Sequence, residues 1–254
     1  VQDGRADVAV HSAKDLTAEL APDCSIICVP ARAPAFDVVV GGRGQSGEER
    51  LATLPQGARV GTSSMRRRVL VREMHPELEI AELRGNLDSR LRRVAEGEVE
   101  AAVLAAAGIE RLGGVDPGLY GALDPERWVP APAQGALAVE ALTERDDLSG
   151  LFAPLGDPSS AAAVACERAF SARLEGGCSV PLGCLARPGA AGLVATGLLG
   201  SPYGDEVLRD RISGPLAHAE RLGAELADAI LGSGGRDILD DIKAGDELEE
   251  VSEP

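Results

Sequence analysis

Short apolar runs of five to seven residues recur along the chain, and they are the feature that most constrains its fold. The runs are residues 6–10, 24–29, 36–40, 78–83, 101–106 and 135–141. Each run has the length and composition of a buried strand. Several are separated by stretches with a helical pattern, at residues 63–74 and 87–96. Strands that alternate with helices predict an α/β architecture with largely parallel sheets.

The pattern changes after about residue 150. Asp157 followed by Pro158 is a strong helix start, because Asp is a favoured N-cap and Pro suits the first helical position. The Ala-rich helix that follows is expected to end near Glu175, and the elements expected beyond it are strands near 191–199 and 205–212 and a helix near 216–231. This order predicts a separate C-terminal α+β domain at 157–254, with the acidic tail 246–254 as a solvated or frayed end.

The charge balance excludes some classes of protein. The chain has 25 basic and 41 acidic residues, a formal net charge of −16, and only six aromatic residues. A general nucleic-acid binder needs a basic face or aromatic platforms, so nucleic acid is not an expected partner. A membrane is not an expected partner either, because no stretch of the chain is long and apolar enough to span one. The chain contains no apolar stretch of 18 residues, no signal-peptide pattern and no metal-type spacing among its five cysteines and three histidines. We therefore expect a reduced cytoplasmic protein without a metal site.

Arginine is concentrated where predicted strands meet predicted helices. Residues 59–93 hold nine arginines and five acidic residues, a local net charge of +4 in an acidic chain. The segment 61–68, Gly-Thr-Ser-Ser-Met-Arg-Arg-Arg, opens a helix directly after a short strand. Arginines there oppose the helix dipole, and they suit the binding of carboxylates or phosphates. A solvated helix face with salt bridges is the alternative for any single arginine.

Two further segments offer reactive groups. Asp15 follows the first predicted strand, where a carboxylate could perform acid–base chemistry, cap a turn or pair with Lys14. Cys178 follows two glycines in a predicted loop, where it could be an accessible nucleophile or an inert thiol at a helix–loop junction. The Gly-rich segment 41–47 lacks the Lys-Ser/Thr of a phosphate loop, so we expect a flexible surface turn there.

Six motifs occur in an order that resembles porphobilinogen deaminase, also called hydroxymethylbilane synthase. They are HSAKDL, VGTSSMRR, LRGNLDSRL, AAAGIERLG, PAQGALAVE and LEGGCSVP. The resemblance covers nearly the whole chain and implies a transferase of haem and tetrapyrrole biosynthesis. Such an enzyme deaminates four porphobilinogen molecules and joins them head to tail on a dipyrromethane cofactor held by a cysteine thioether. Its partners are porphobilinogen and the growing polypyrrole, and we expect a monomer.

The resemblance also assigns roles to residues of this chain. Cys178 matches the cysteine that carries the cofactor, and Asp15 matches the catalytic carboxylate that faces the pyrrole nitrogens. The residues that match arginines holding acetate and propionate groups are Arg66, Arg67, Arg84, Arg90 and Arg111. The remaining cofactor-contacting positions are Ser12, Lys14, Thr62, Ser63, Ser64, Ala105 and Gln134. Loss of ammonia from porphobilinogen leaves an electrophilic azafulvene, whose positive charge a nearby carboxylate can stabilise.

The family's architecture implies two lobes like the halves of periplasmic binding proteins and a third domain with the cysteine. In this chain they would be residues 1–32 with 136–153, residues 37–130, and residues 157–254. Family members have a domain-one segment before HSAKDL that is not in this sequence. We therefore expect the natural protein to be longer and this chain alone to be inactive or nearly so. The alternatives are a non-catalytic solute-binding protein of the same two-lobed fold and an anion-binding domain left by a degraded gene.

Overall fold

The computed structural model describes residues 1–17, 20–113, 115–176, 180–190 and 192–252, with the backbone alone from residue 246 onward. A three-stranded sheet forms what we call the first lobe. Its strands are β1 Ala9–Ser12, β2 Cys24–Cys28 and β8 Leu137–Leu142, in the order β1-β8-β2. β8 is antiparallel to both neighbours. The chain therefore leaves this lobe after β2 and returns to its centre more than a hundred residues later.

A mixed five-stranded sheet forms the second lobe. Its strands are β3 Asp37–Gly41, β4 Arg59–Gly61, β5 Glu79–Ala81, β6 Ala101–Ala105 and β7 Tyr120–Ala122, in the order β5-β4-β6-β3-β7. β4 is parallel to β5 and β6, whereas β3 is antiparallel to β6 and β7. The prediction of largely parallel sheets is wrong for the first lobe, and it is wrong for the pairing of β3 with β6 and β7 in the second lobe. A central strand is covered on both faces whether its neighbours run parallel or antiparallel to it. Its apolar run therefore does not indicate the direction of the neighbouring strands.

The third sheet is antiparallel and belongs to what we call the C-terminal unit. It contains β9 Leu182–Gly189, β10 Gly192–Gly200 and β11 Val207–Gly214, in the order β11-β10-β9. Helices α6 Pro158–Arg173 and α7 Ala219–Ile230 pack on it, and α8 Arg236–Ser252 follows a kink at Gly234. This order of helix, sheet and helix confirms the predicted α+β class, although the sequence pattern missed β9.

The other helices are short and flank the two lobes. They are α1 Gly47–Ala52, α2 Met65–Met74, α3 Leu87–Ala95, α4 Ala106–Leu112 and α5 Asp146–Phe152. At the start of α6, the Asp157 side chain accepts from the Ser160 backbone N–H at 2.7 Å, as the Asp-Pro signal predicted.

Residues 42–46 form a bend, and residues 43–45 are exposed, as expected of a surface turn. The bend is closely packed at one point, because a Cβ on Gly42 would lie 2.4 Å from the Arg50 carbonyl oxygen, and Ser46 caps α1. The first strand is not buried as expected, since Val10 is 62% exposed on the edge strand β1.

Two crossing segments, residues 29–36 and 129–136, connect the lobes. They lie side by side, and the Ala33 N–H donates to the Gly135 carbonyl at 3.2 Å. Gly135 has a φ of +85°, and a Cβ there would lie 2.5 Å from the Ala33 carbonyl oxygen, so this close approach requires glycine. None of the helices in the described ranges is both long enough and apolar enough to cross a bilayer.

Candidate functional site

A cavity of about 440 Å³ lies where the first lobe, the second lobe and the C-terminal unit meet. The first lobe contributes residues 13–17, and the second contributes Ser64 and Arg66. The crossing segment contributes residues 131–133, and the C-terminal unit contributes Arg168, Gly176 and Val180 among others. A cavity of this size, with charged groups from several elements, is typical of a small-molecule site.

The turn after β1 places a carboxylate and an ammonium at this cavity. Ser12 ends β1, and a single 3-10 turn follows at Ala13–Asp15. Ala13 is buried and its N–H donates to the Ala136 carbonyl at 3.0 Å, which anchors the turn to the crossing segment. Lys14 and Asp15 are exposed beside the cavity. Desolvation and the charge of Arg67 lower the pKa of Lys14, with Asp15 and Asp37 acting in the opposite direction.

The two site arginines of α2 are buried and share one carboxylate. Arg66 is 3% exposed and Arg67 is 6% exposed. The Arg66 Nη2 donates to Asp37 Oδ2 and the Arg67 Nη2 donates to Asp37 Oδ1, both at 2.8 Å. Burial alone would raise the pKa of Asp37, but the two guanidinium groups outweigh it and hold that pKa well below its usual range. The sequence predicted arginines that bind a ligand but not the carboxylate that holds them.

Gln134 belongs to the same buried cluster. It is 1% exposed, and its Nε2 donates to the Ala35 carbonyl at 2.5 Å and to Asp37 Oδ1 at 2.9 Å. Its Oε1 accepts from Arg67 Nη2 at 3.4 Å. Gln134 therefore ties both crossing segments to the arginine pair.

The start of α2 supplies uncompensated backbone donors. Ser64 is the N-cap, but its side chain makes no capping hydrogen bond. Thr62 is buried and its Oγ1 accepts from the Ser64 N–H at 3.2 Å, while Ser63 is exposed. Free N–H groups at a helix start favour anions, so this segment adds to the positive potential of the arginines.

The remaining predicted arginines differ in their surroundings. Burial and, to a smaller extent, the charge of Arg67 lower the pKa of Arg90, whose Nε donates to the Gly85 carbonyl at 2.8 Å. Arg111 is exposed and donates to the Gly135 carbonyl at 2.9 Å. Arg84 has a side chain that is 82% exposed and pairs with Glu82 at 2.6 Å, and it does not line the cavity. Ala105 ends β6 opposite Asp37, so its backbone lies beside the cluster.

Cys178 lies outside the described residues. Gly176 and Val180, the nearest described residues on either side of it, both line the cavity. Three of the other cysteines, Cys28, Cys166 and Cys184, are buried. Burial, with a smaller effect of Glu167, raises the pKa of Cys166 to about 12. Such thiols are poor nucleophiles at neutral pH.

Sequence analysis missed a second buried ion pair beside the site. Glu167 on α6 is fully buried, and its carboxylate accepts from Arg32 Nη1 and Nη2 at 2.7 and 2.9 Å. It also accepts the Ala133 N–H at 2.5 Å and the Ala186 N–H at 2.7 Å. This cluster joins the crossing segments to the C-terminal unit. The one available signal was an acidic residue within the apolar pattern of a helix.

Comparisons with known proteins agree with the motifs. Residues 1–149 match the family model for the porphobilinogen deaminase dipyromethane cofactor binding domain, and residues 161–232 match that for the porphobilinogen deaminase C-terminal domain. The porphobilinogen deaminase of Roseiflexus castenholzii is 44% identical over 236 residues, which are 93% of this chain and 76% of that protein. The porphobilinogen deaminase of Chromobacterium violaceum is 41% identical over 239 residues, which are 94% of this chain and 76% of that protein.

Among solved structures, the Azotobacter vinelandii periplasmic molybdate-binding protein aligns with 52% of this chain and 61% of its own, at 13% identity and a TM-score of 0.31. That similarity is too small to bear on the fold or the function. The family models and the curated relatives instead decide against a non-catalytic solute-binding protein. The chain belongs to the porphobilinogen deaminase family, the transferases that polymerise porphobilinogen into hydroxymethylbilane on a dipyrromethane cofactor.

Proposed function

We propose that this polymerisation takes place at the cavity between the lobes and the C-terminal unit, with Asp15 as the catalytic carboxylate and Cys178 as the cofactor attachment point. One observation carries the proposal. Asp15, Lys14 and Arg66 converge on a single cavity with the nearest described residues on either side of Cys178. The converging groups come from three separate parts of the chain.

The residues around the cavity fit a dipyrromethane group. Each of its pyrroles carries an acetate and a propionate, so the group brings four carboxylates. Arg67 acts electrostatically on Lys14, Arg66 and Arg90, and the start of α2 adds N–H donors. The cavity of about 440 Å³ lies within the range of small-molecule sites. When bound, the cofactor supplies the pyrrole carbon to which the first porphobilinogen is joined.

Asp15 is proposed to act on the substrate's charge and protons. Its carboxylate is exposed to the cavity, and the turn that carries it is anchored through Ala13. A carboxylate held in that position can stabilise positive charge that develops as ammonia leaves, and it can accept a pyrrole proton. Lys14 beside it favours the ionised form of a bound carboxylate.

The cations are proposed to divide the binding of the acidic side chains. Arg111 donates to the Gly135 carbonyl of a crossing segment, and Lys14 lines the cavity. Arg66 and Arg67 are held by backbone carbonyls and contribute fixed positive charge, while Arg90 donates to the Gly85 carbonyl. The polar and backbone contacts of the cofactor are proposed to come from Ser12, Thr62, Ser63, Ser64, Ala105 and Gln134. Arg84 would have to leave Glu82 to bind a carboxylate, so its proposed role needs a rotation of its side chain.

Intact-mass measurement tests the attachment site. Incubation with porphobilinogen should give a protein heavier by two pyrrole units, and Cys178→Ser should abolish this adduct. Cys24→Ser is the matched control, because Cys24 is a partly exposed thiol away from this cavity, and it should keep the adduct. Active protein with an unmodified mass would overturn the assignment.

Turnover measurements on the natural full-length protein test the other roles. Asp15→Ala should retain the fold and lose nearly all hydroxymethylbilane formation, whereas Asp210→Ala, which removes an exposed carboxylate of β11, should not change the rate. Arg90→Leu should stall cofactor assembly or chain elongation. Parental kinetics for Asp15→Ala, or a normal rate of tetrapyrrole formation by Arg90→Leu, would remove the corresponding role.

We further propose three domains, at residues 1–32 with 136–153, 37–130 and 157–254, in a cytoplasmic monomer that binds neither nucleic acid nor membrane. The grouping of the strands into three sheets supports the division. The net charge of −16 supports the absence of a nucleic-acid partner. Light scattering after size exclusion would test the monomer, and a stable dimer would contradict it.

A further inference from the structure

Asp37 is a buried carboxylate between two buried cations. It is 0% exposed at the start of β3, and each of its oxygens accepts from a different guanidinium, of Arg66 or Arg67, at 2.8 Å. Arginine stays protonated in proteins, so the three side chains together carry a net charge of +1.

Both guanidinium groups are fixed in this arrangement. The Arg66 Nη1 donates to the Val129 carbonyl at 2.9 Å, and the Arg67 Nη1 donates to the Val103 carbonyl at 3.0 Å. The Nε of each arginine is buried and has no hydrogen-bond partner among the described residues. Arg66 lines the cavity, so the uncancelled charge of the cluster lies next to it.

Other charged groups act on this cluster from neighbouring elements. Lys14 and Arg90 both interact electrostatically with Arg67, and Asp15 interacts with Lys14. The neutral amide of Gln134 contacts both Asp37 and Arg67, at 2.9 and 3.4 Å. The charge of the cluster can therefore be changed at two adjacent positions, by exchanging an amide for a carboxylate of nearly the same shape.

We propose that Asp37 determines the charge specificity of the site, because cancelling one of two arginine charges makes the pair suited to a single carboxylate and not to a dianion such as phosphate or sulfate. The proposal rests on the proposed role of Arg66 and Arg67 in binding the acidic side chains of the substrate. Coulomb energy scales with the product of the charges, so the affinity for a dianion rises more steeply with cluster charge than that for a monoanion. Burial increases this difference, since water screens the charges less.

Three variants change the charge stepwise. Asp37→Asn raises the net charge of the Arg66–Arg67–Asp37–Gln134 cluster to +2, and Arg67→Gln lowers it to 0. The exchange variant, Asp37→Asn with Gln134→Glu, returns it to +1 with the carboxylate on a side chain whose amide nitrogen lies 2.9 Å from the original oxygen. All three proteins would also carry Cys178→Ser, as would the parent, so that none holds an attached cofactor.

Calorimetric titration with sodium sulfate and sodium acetate, at pH 7 and constant ionic strength, measures the consequence. Relative to the parent, the sulfate-to-acetate affinity ratio should rise by roughly tenfold or more in Asp37→Asn. It should fall in Arg67→Gln and return toward the parental value in the exchange variant. If Asp37→Asn does not fold, the ordering of the other three proteins still decides the question.

A ratio that is the same in all folded variants would overturn the proposal, as would the absence of anion binding by every one of them. The outcome is separate from the test of the proposed function. A two-pyrrole adduct on Cys178 without the charge ordering would refute only the role of Asp37. The charge ordering without the adduct would refute only the assignment of Cys178.

Discussion

Replacing Glu167 by Gln tests how much the buried ion pair with Arg32 contributes to stability. The carboxylate is fully buried and accepts four hydrogen bonds, two from Arg32 and one each from the Ala133 and Ala186 N–H groups. The amide that replaces it loses the charge and turns an NH₂ group toward donors. Removing one partner of such a buried pair costs about 3–5 kcal/mol of unfolding free energy. For a chain of this length that corresponds to a fall in Tm of roughly 6–20 °C.

The chain provides a matched control for this change. Glu73 accepts two hydrogen bonds from Arg209, at 2.7 and 2.6 Å, so its pair has the same bidentate form. The two side chains are 29% and 31% exposed, in contrast to 0% for Glu167. Solvent weakens the interaction, so Glu73→Gln should cost only about 0–1 kcal/mol.

Urea denaturation followed by tryptophan fluorescence measures both variants. Trp128 is the only tryptophan of the chain, and it packs in a core shared by the second lobe and β9 and β10. Its emission therefore reports on the junction that Glu167 stabilises. Equal losses for the two variants, or a loss below about 1 kcal/mol for Glu167→Gln, would refute the reasoning that burial sets the size of the effect.

Three further changes have outcomes that follow from single contacts. The pKa of Asp37 is held below its ordinary 3.8, so its contribution to stability is present above that value and is lost as the pH falls. The stability difference between the parent and Asp37→Asn should therefore shrink in urea titrations between pH 6 and pH 3, and a constant difference would contradict this. Gly223→Ala should lower the unfolding free energy by about 1–3 kcal/mol or more, because its Cβ would lie 2.0 Å from the Cys166 carbonyl oxygen. Gly150→Ala, in the exposed interior of α5 with no atom within 4 Å of the new Cβ, should instead raise it by about 0.5–1 kcal/mol in the same titration; destabilisation there would show that the site is not open.

The elements that could be predicted from the sequence are those set by neighbours along the chain. The helix start at Asp157 and Pro158 depends on contacts within a few residues, and the central strands of the second lobe are visible in the sequence as short apolar runs. The direction of a strand relative to its neighbours is not set by residues nearby in the sequence. β3 is equally apolar beside parallel or antiparallel neighbours, so its pairing with β6 and β7 could not be predicted from its composition.

The candidate site shows the same division. The position of Arg66 and Arg67 after a strand, at the start of a helix, is visible in the sequence. Their partner Asp37 precedes them by 29 and 30 residues and lies in a different strand of the sheet. A search for ligand-binding arginines therefore found the cations but not the carboxylate that orients them.

The sequence by itself determined the kinds of group available to this protein: an arginine-rich segment in an acidic chain, a carboxylate after the first strand, and a cysteine after two glycines. Its motif order was enough to identify the family. Only the tertiary structure decided how the charges are paired. Arg66 and Arg67 share Asp37, while Arg32 is taken up by Glu167, and Lys14 is left beside Asp15 at the cavity. The physical reason is that ion pairs depend on distance and burial, and residues far apart along the chain acquire both only when the sheets assemble.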